Sequence, residues 1–234
     1  MQEGTYNQLA GEYYEDAHKT SRNFDLATKA AFAGSEIPVP EDGLILEPGC
    51  GRGRAGEFLG VSPARVVQLD ANEAMLRLPD REDCLVQVLD RAERLPFPAG
   101  QFACVSAFLC DPFLGLRFLA EAKRVLRPGG LLVGTTPSFE WGAPLRKKLG
   151  LDLMVTRFKL NSGEVMTMPS ALYPAPQLRQ MLERAEFDPA SIQVRPVRLP
   201  GEVPIVSPDI EIAAQEAGTS AQEIEILYLF TATA

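Results

Sequence analysis

The stretch Leu44–Gly56, LILEPGCGRGRAG, decides how the chain is read. Three apolar residues end in the acid Glu47, and a turn carrying Gly49, Gly51 and Gly53 then opens a helix-like segment, Arg54–Leu59. Glycine at such a turn permits positive φ and lets a ligand approach the backbone without meeting a Cβ. A strand, a glycine turn and a helix in that order predict a nucleotide-sized pocket. In open α/β sheets such a pocket lies beyond the carboxyl ends of the strands, near the switch in strand order.

The same rhythm continues downstream. Ala64–Asp70 predicts a strand and Asn72–Leu78 a helix capped by Asn72. A third strand, CLVQVLD, ends at Asp90, and a fourth spans Phe102–Leu109. A helix follows from Phe113 to Leu126, stopped by Arg127–Gly130, and LLVGTTPS makes a fifth strand. Strands alternating with helices at this spacing predict a parallel sheet covered on both faces by right-handed crossovers.

Upstream, Thr5–Gly34 predicts two helices with Ser21 and Asn23 between them. In the second half, helices are expected over Trp141–Leu149 and Gln177–Glu186, and an inserted strand pair or lid over 153–168. SIQVRPVRL, residues 191–199, alternates like a strand that Pro196 confines to an edge or a bulge. GEVPIVSPD, residues 201–209, reads as an irregular excursion, and EIEILYLFTATA as a terminal strand. The expected organisation is one domain over 1–234: a helical lid (1–34), a cofactor-binding core (44–136), a variable substrate-side insertion (137–170), and a C-terminal helix and strands (171–234).

The 234 residues are 46% hydrophobic and 23% charged, the composition of an ordinary globular protein. A formal charge of −8 argues against polyanionic partners, because phosphate contacts are made by clustered Lys and Arg. Nucleic acid and anionic membrane are therefore not expected. Cys50, Cys84, Cys104 and Cys110 lack CxxC spacing and His18 is the single histidine, so no metal site is expected. Thiols in apolar segments and an acidic N-terminus without an apolar run point to a reduced, cytoplasmic, unanchored protein. A monomer or homodimer with a small-molecule substrate is expected.

Two cofactors compete for the glycine turn. Gly51, Gly53 and Gly56 satisfy GxGxxG, the dinucleotide fingerprint, with Asp70 about 20 residues on. Glu47 separates the readings: a carboxylate at the mouth of the turn repels a pyrophosphate but suits the ammonium and sulfonium of S-adenosylmethionine. Asp70 can accept hydrogen bonds from both ribose hydroxyls, its alternative being a helix N-terminal acid. Asp90 can accept from the adenine amino group, with backbone at Arg91 or Ala92 meeting the ring; its alternative is a solvated loop acid.

At this point EPGCGRG, VVQLDANEAML, DRAERLPFPAGQFACV and EAKRVLRPGGLLV resemble the successive motifs of class I methyltransferases, most closely the ubiquinone- and menaquinone-biosynthesis type. The resemblance covers residues 44–136. It implies a Rossmann-like, seven-stranded, mostly parallel sheet whose last strand is antiparallel. It further implies a methionine site around Glu47, Gly49, Gly51 and Gly53, ribose on Asp70, adenine near Ala71, Asp90, Arg91 and Ala92, and a methyl-facing position near Phe108–Asp111. Two departures stand out: Ala103 replaces a common aspartate, and Glu47 replaces the more frequent Asp.

Methyl transfer is an in-line displacement, so its main demand is positioning. A hydroxyl acceptor also needs something to take its proton. His18 is the tempting base, although a lone histidine also reads as structural; Asp111 is the alternative, or else a helix cap. Tyr6, Tyr13 and Tyr14 read either as helix packing or as lid residues, Tyr14 being the preferred contact. Asp111-Pro112-Phe113 is not the NPPY-type signature of enzymes that methylate bases or glutamine. Arg146, Arg157 and Lys159 read as a solvated face or as a clamp for an acidic substrate. O-methylation of a small molecule stands slightly ahead of N- or C-methylation. The alternatives are a non-methylating user of the same cofactor, a binding module without catalysis, and the NAD oxidoreductase.

Overall fold

A computed structural model describes Tyr6, residues 9–15, 18–78 and 81–234. The chain runs α1 (Lys19–Ala33), β1 (Leu44–Pro48), α2 (Ala55–Leu59), β2 (Val66–Asp70), α3 (Glu73–Leu76), β3 (Val86–Leu89) and β4 (Phe102–Ala107). It continues through α4 (Leu116–Val125), β5 (Leu126–Pro137), α5 (Phe139–Leu149), β6 (Val155–Lys159), β7 (Val165–Pro169), α6 (Ala175–Arg184), β8 (Gln193–Val197), α7 (Pro208–Ala217) and β9 (Leu227–Thr233).

Seven strands form one sheet in the order β3-β2-β1-β4-β5-β9-β8, and β6 pairs with β7 in a separate antiparallel hairpin. Strands β1 to β5 are parallel, while β9 runs antiparallel to both β5 and β8. The expected antiparallel last strand is thus present. Side chains alternate across the sheet as the two-residue period requires. Leu46, Val105, Leu132 and Phe230 join α4 and α6 in one core, whereas Ile45, Cys104, Val133 and Leu229 join α1, α5 and α7 in the other. The strand order reverses between β1 and β4, which opens the crevice that a ligand site needs.

Four local expectations change. Helix α1 runs through Ser21 and Asn23; Thr5, residues 7–8 and 16–17 of the expected earlier helix lie outside the described residues. Asn23 is buried because its amide bridges Ile205 O (2.9 Å) and the Ser207 N–H (2.8 Å), a tertiary tie rather than a cap. Arg127–Gly130 is a bulged start of β5: Phe102 pairs with Leu126 and Cys104 with Leu131, so the helix stop is already strand. GEVPIVSPD leads into an unexpected helix, α7, with Pro208 at its first turn and Ser207 Oγ accepting the Asp209 N–H (3.2 Å). β2 begins at Val66, after a short 3-10 turn at Pro63–Arg65. Pro196 does lie on an edge strand, β8.

Candidate functional site

The glycine turn is held by two buried carboxylates. Asp70 accepts the Gly51 N–H on Oδ2 and the Asn72 N–H on Oδ1, both at 2.9 Å, and so ties the turn after β1 to the end of β2. Glu47, 1% exposed, accepts the N–H groups of Arg54 (2.7 Å) and Ala55 (3.1 Å) and Gln68 Nε2 (3.2 Å). Glu82 takes the next two amides of the helix, Gly56 (2.8 Å) and Glu57 (2.6 Å). The N-terminal donors that a helix cannot satisfy internally are therefore met by two acids. Burial pushes the Glu47 carboxyl up to about 8 against the pull of the Arg54 amide, and raises Asp70 against the amides of Gly51 and Asn72.

Beside this turn lies a cavity at the carboxyl ends of β1, β2 and β4. Of the residues expected to bind the donor, Tyr14, Glu47, Gly49, Gly51, Asp70 and Ala71 line it, together with Arg91, Ala92 and Phe108. Gly49 and Gly51 have φ of 64° and 52°, where glycine is favoured. A Cβ on Gly49 runs into the Phe113 ring, and one on Gly51 into the Tyr14 hydroxyl. Tyr14 covers the turn, its hydroxyl accepting the Arg52 N–H (3.2 Å) while the Arg52 guanidinium lies 3.9 Å above its ring. Arg54, a cation in the wall, is paired with Asp25 (2.9 Å) and Glu57 (3.2 Å).

Gly53 and Asp90, also expected at the donor, do not line this cavity. Gly53 lies behind the turn, where a Cβ collides with Gln68 Nε2; its lack of a side chain serves packing between β2 and the turn. Asp90 caps its own neighbour, accepting the Arg91 N–H (2.8 Å), and does not line the cavity.

A second cavity of about 570 Å³ adjoins the first, the two sharing Tyr6, Tyr13, Ser21, Leu109 and Pro112. His18 and Asp111, expected as catalytic groups, both line this second cavity and not the first. The His18 ring stacks on Phe158 at 4.0 Å, Tyr13 stacks on Phe158 at 5.6 Å, and Asn161 donates to Glu12 (2.7 Å) and Glu15 (2.7 Å). The N-terminal segment and the β6–β7 hairpin thus close the chamber together. His18 Nε2 is buried with no hydrogen-bond partner, and burial lowers its pKa despite Glu12 and Glu15. Burial raises Asp111 to about 6, offset by a hydrogen bond with Ser170 and by Arg146. Arg146 is itself buried, donating to Leu153 O and to Ser170 Oγ (2.6 Å). It is a structural tie, while Arg157 and Lys159 stand exposed at the cavity.

Sequence reasoning missed Gln68, Glu82 and Phe113, which pack against the turn. Gln68 had a signal, a polar residue inside the wholly buried strand VVQLD. Glu82 and Phe113 had none, since they reach the turn from distant loops.

A methyltransferase domain model matches residues 46–134. The chain is 40% identical over 121 residues to a phthiotriol/phenolphthiotriol dimycocerosates methyltransferase of Mycobacterium ulcerans, covering 44% of each chain. It is 31% identical over 129 residues to an uncharacterized methyltransferase of Bacillus subtilis, covering 53% of this chain and 55% of that one. The chain thus spans about half the length of these curated relatives. Among solved structures, the methyltransferase complexed with the Haloferax volcanii activator Trm112 superposes with a TM-score of 0.68 at 16% identity, over 98% of this chain and 97% of that one. An S-adenosylmethionine-dependent methyltransferase of Mesorhizobium loti gives 0.59 at 18% identity, over 90% and 100%.

Proposed function

We propose that this chain, whose residues 46–134 match a methyltransferase domain model and whose fold is that of the class I S-adenosylmethionine-dependent methyltransferases, methylates a hydroxyl of a small-molecule acceptor. The observation that carries this reading is the pair of adjoining cavities, one walled by Glu47 and Asp70, the other lined by His18 and Asp111.

The first cavity fits the methyl donor. Two buried acids beside a glycine turn suit a cationic ligand, whose charge would draw the raised Glu47 carboxyl back toward its ionised form, and disfavour a pyrophosphate. Glu47, Gly49 and Gly51 would hold the methionine end, Asp70 the ribose, and Ala71, Arg91 and Ala92 the adenine, with Phe108 facing the reacting end. Each Asp70 oxygen accepts one backbone amide and keeps lone-pair capacity for a hydroxyl. S-adenosylmethionine, when bound, supplies a methyl carbon activated by its sulfonium.

The chain's own contribution is positioning and proton handling. Tyr6, Tyr13, Ser21, Leu109 and Pro112 form the partition across which donor and acceptor meet. Leu109 has a φ of 49°, unusual outside glycine, and its N–H donates to Thr135 Oγ1 (3.1 Å), which pins the bend at this partition. His18 Nε2 accepts the hydroxyl proton. Asp111, anchored by Ser170, orients the acceptor. The N-terminal segment and the β6–β7 hairpin exclude water.

Calorimetric titration with S-adenosylmethionine, S-adenosylhomocysteine and NAD tests the premise: the first two bind and NAD does not. Binding of NAD alone sinks the reading. Radiolabelled methyl transfer to paired hydroxyl and amine compounds then tests the acceptor group; label found only on the amines overturns hydroxyl transfer.

A further inference from the structure

The two edges of the seven-stranded sheet are built differently. On β8 the exposed Arg195 and Pro196 guard the edge, since proline has no N–H to offer and a charge resists burial. On β3 the stretch Leu85–Leu89 carries neither charge nor proline, and it leaves Leu85 52%, Val86 46% and Leu89 56% exposed. An uncovered apolar edge strand is a template for pairing with another strand. The order of its residues selects the partner: Leu85-Val86-Gln87-Val88-Leu89 reads the same in both directions.

We infer that β3 is a self-association edge: it pairs antiparallel with β3 of a second copy of this chain, about a two-fold axis through Gln87. An axis normal to the sheet keeps every side chain on its own face, so opposed residue numbers must share parity. Centred on Gln87, the pairing sets Leu85 against Leu89 and Val86 against Val88, apolar on apolar. Just beyond the strand it sets the exposed Asp83 against Arg91, opposite charges that meet twice by symmetry. Neighbouring registers lose this match. An axis through Val86 sets Asp83 against Leu89, and one through Val88 sets Val86 against Asp90. Register is fixed where such a slip mismatches every pair.

Sedimentation equilibrium of the full chain tests this. A pair of strands this short is a small interface, so wild type is expected to pass from monomer to dimer as concentration rises toward about 1 mM. Gln87→Lys sets two like charges face to face on the axis and is expected to raise the dissociation constant about fivefold or more. Gln87→Cys brings two thiols together across the axis and is expected to give a disulfide-linked dimer under mild oxidation. In wild type the half-buried Cys84 lies about 20 Å from its copy in this register and is not expected to link. A monomer at every concentration overturns the inference, as does a dimer indifferent to Gln87→Lys or linkage no faster in Gln87→Cys than in wild type. The wild-type and cysteine measurements stand even if the lysine variant does not fold.

Discussion

Asp70→Asn separates holding the turn from holding the ligand. The side chain is 9% exposed, and each oxygen accepts one backbone amide at 2.9 Å. Asparagine keeps the shape but turns an NH2 toward one of those N–H groups. One hydrogen bond to a charged group is lost, about 1.5–3 kcal/mol. For a chain of this size 1 kcal/mol shifts the melting temperature by about 2–4 °C, so a fall of roughly 3–12 °C is expected. A ribose hydroxyl loses its charged acceptor as well, which weakens S-adenosylhomocysteine by about 10- to 150-fold. Thermal unfolding and calorimetry, the latter well below either melting temperature, read the two effects apart. A lowered melting temperature with affinity within about twofold of wild type leaves Asp70 as a turn brace only and refutes ribose binding. An unchanged melting temperature refutes the bracing.

Three further outcomes are expected. Glu47 has its folded-state pKa raised from 4.5 to about 8, so its stabilisation relative to Glu47→Gln is greatest below pH 4.5 and is lost as pH rises through 8. Melting temperatures of the two proteins from pH 5 to 9 should show the difference shrinking with rising pH, and a constant difference contradicts it. Because burial lowers the His18 pKa, methyl transfer should rise with pH along an acid limb centred below 6.5 and then level. His18→Asn removes that limb and about 10²- to 10⁴-fold of kcat, whereas Asp111→Asn retains the limb; a limb that disappears with Asp111 instead assigns the base to the wrong residue. Gly51→Ala combines left-handed strain of about 1–2 kcal/mol with a clash against the Tyr14 hydroxyl. Tyr14→Ala relieves only the clash, so the melting-temperature losses of the double variant should fall short of the sum; strict additivity argues against the contact.

Much of the fold was legible because its signals are local. The apolar run within Ala64–Asp70, the Asn72 cap and Pro196 on an edge strand each follow from the chemistry of a few neighbouring residues. Helix α7 was missed because its start, Ser207-Pro208, also reads as a loop, and only contact with Asn23 from α1 orders the approach to it. Gly53 and Asp90 fit a motif by spacing, yet spacing does not say which side of the turn a residue faces. Gly53 faces Gln68, and Asp90 faces the Arg91 amide.

The sequence by itself determined the strand-turn-helix at Leu44–Gly56, the acids that follow it at fixed intervals, and hence the parallel sheet. Backbone periodicity and glycine dihedrals are properties of adjacent residues, so they are readable without closing the chain. Only the tertiary structure decided that His18 and Asp111 share one chamber beside the cavity at the glycine turn. It alone showed that Glu47 and Glu82 are bound into a helix start and that the N-terminal segment meets the β6–β7 hairpin through Phe158 and Asn161. Those meetings join residues up to about 150 positions apart, as with Glu12 and Asn161. They depend on how the whole chain closes, which no local pattern encodes.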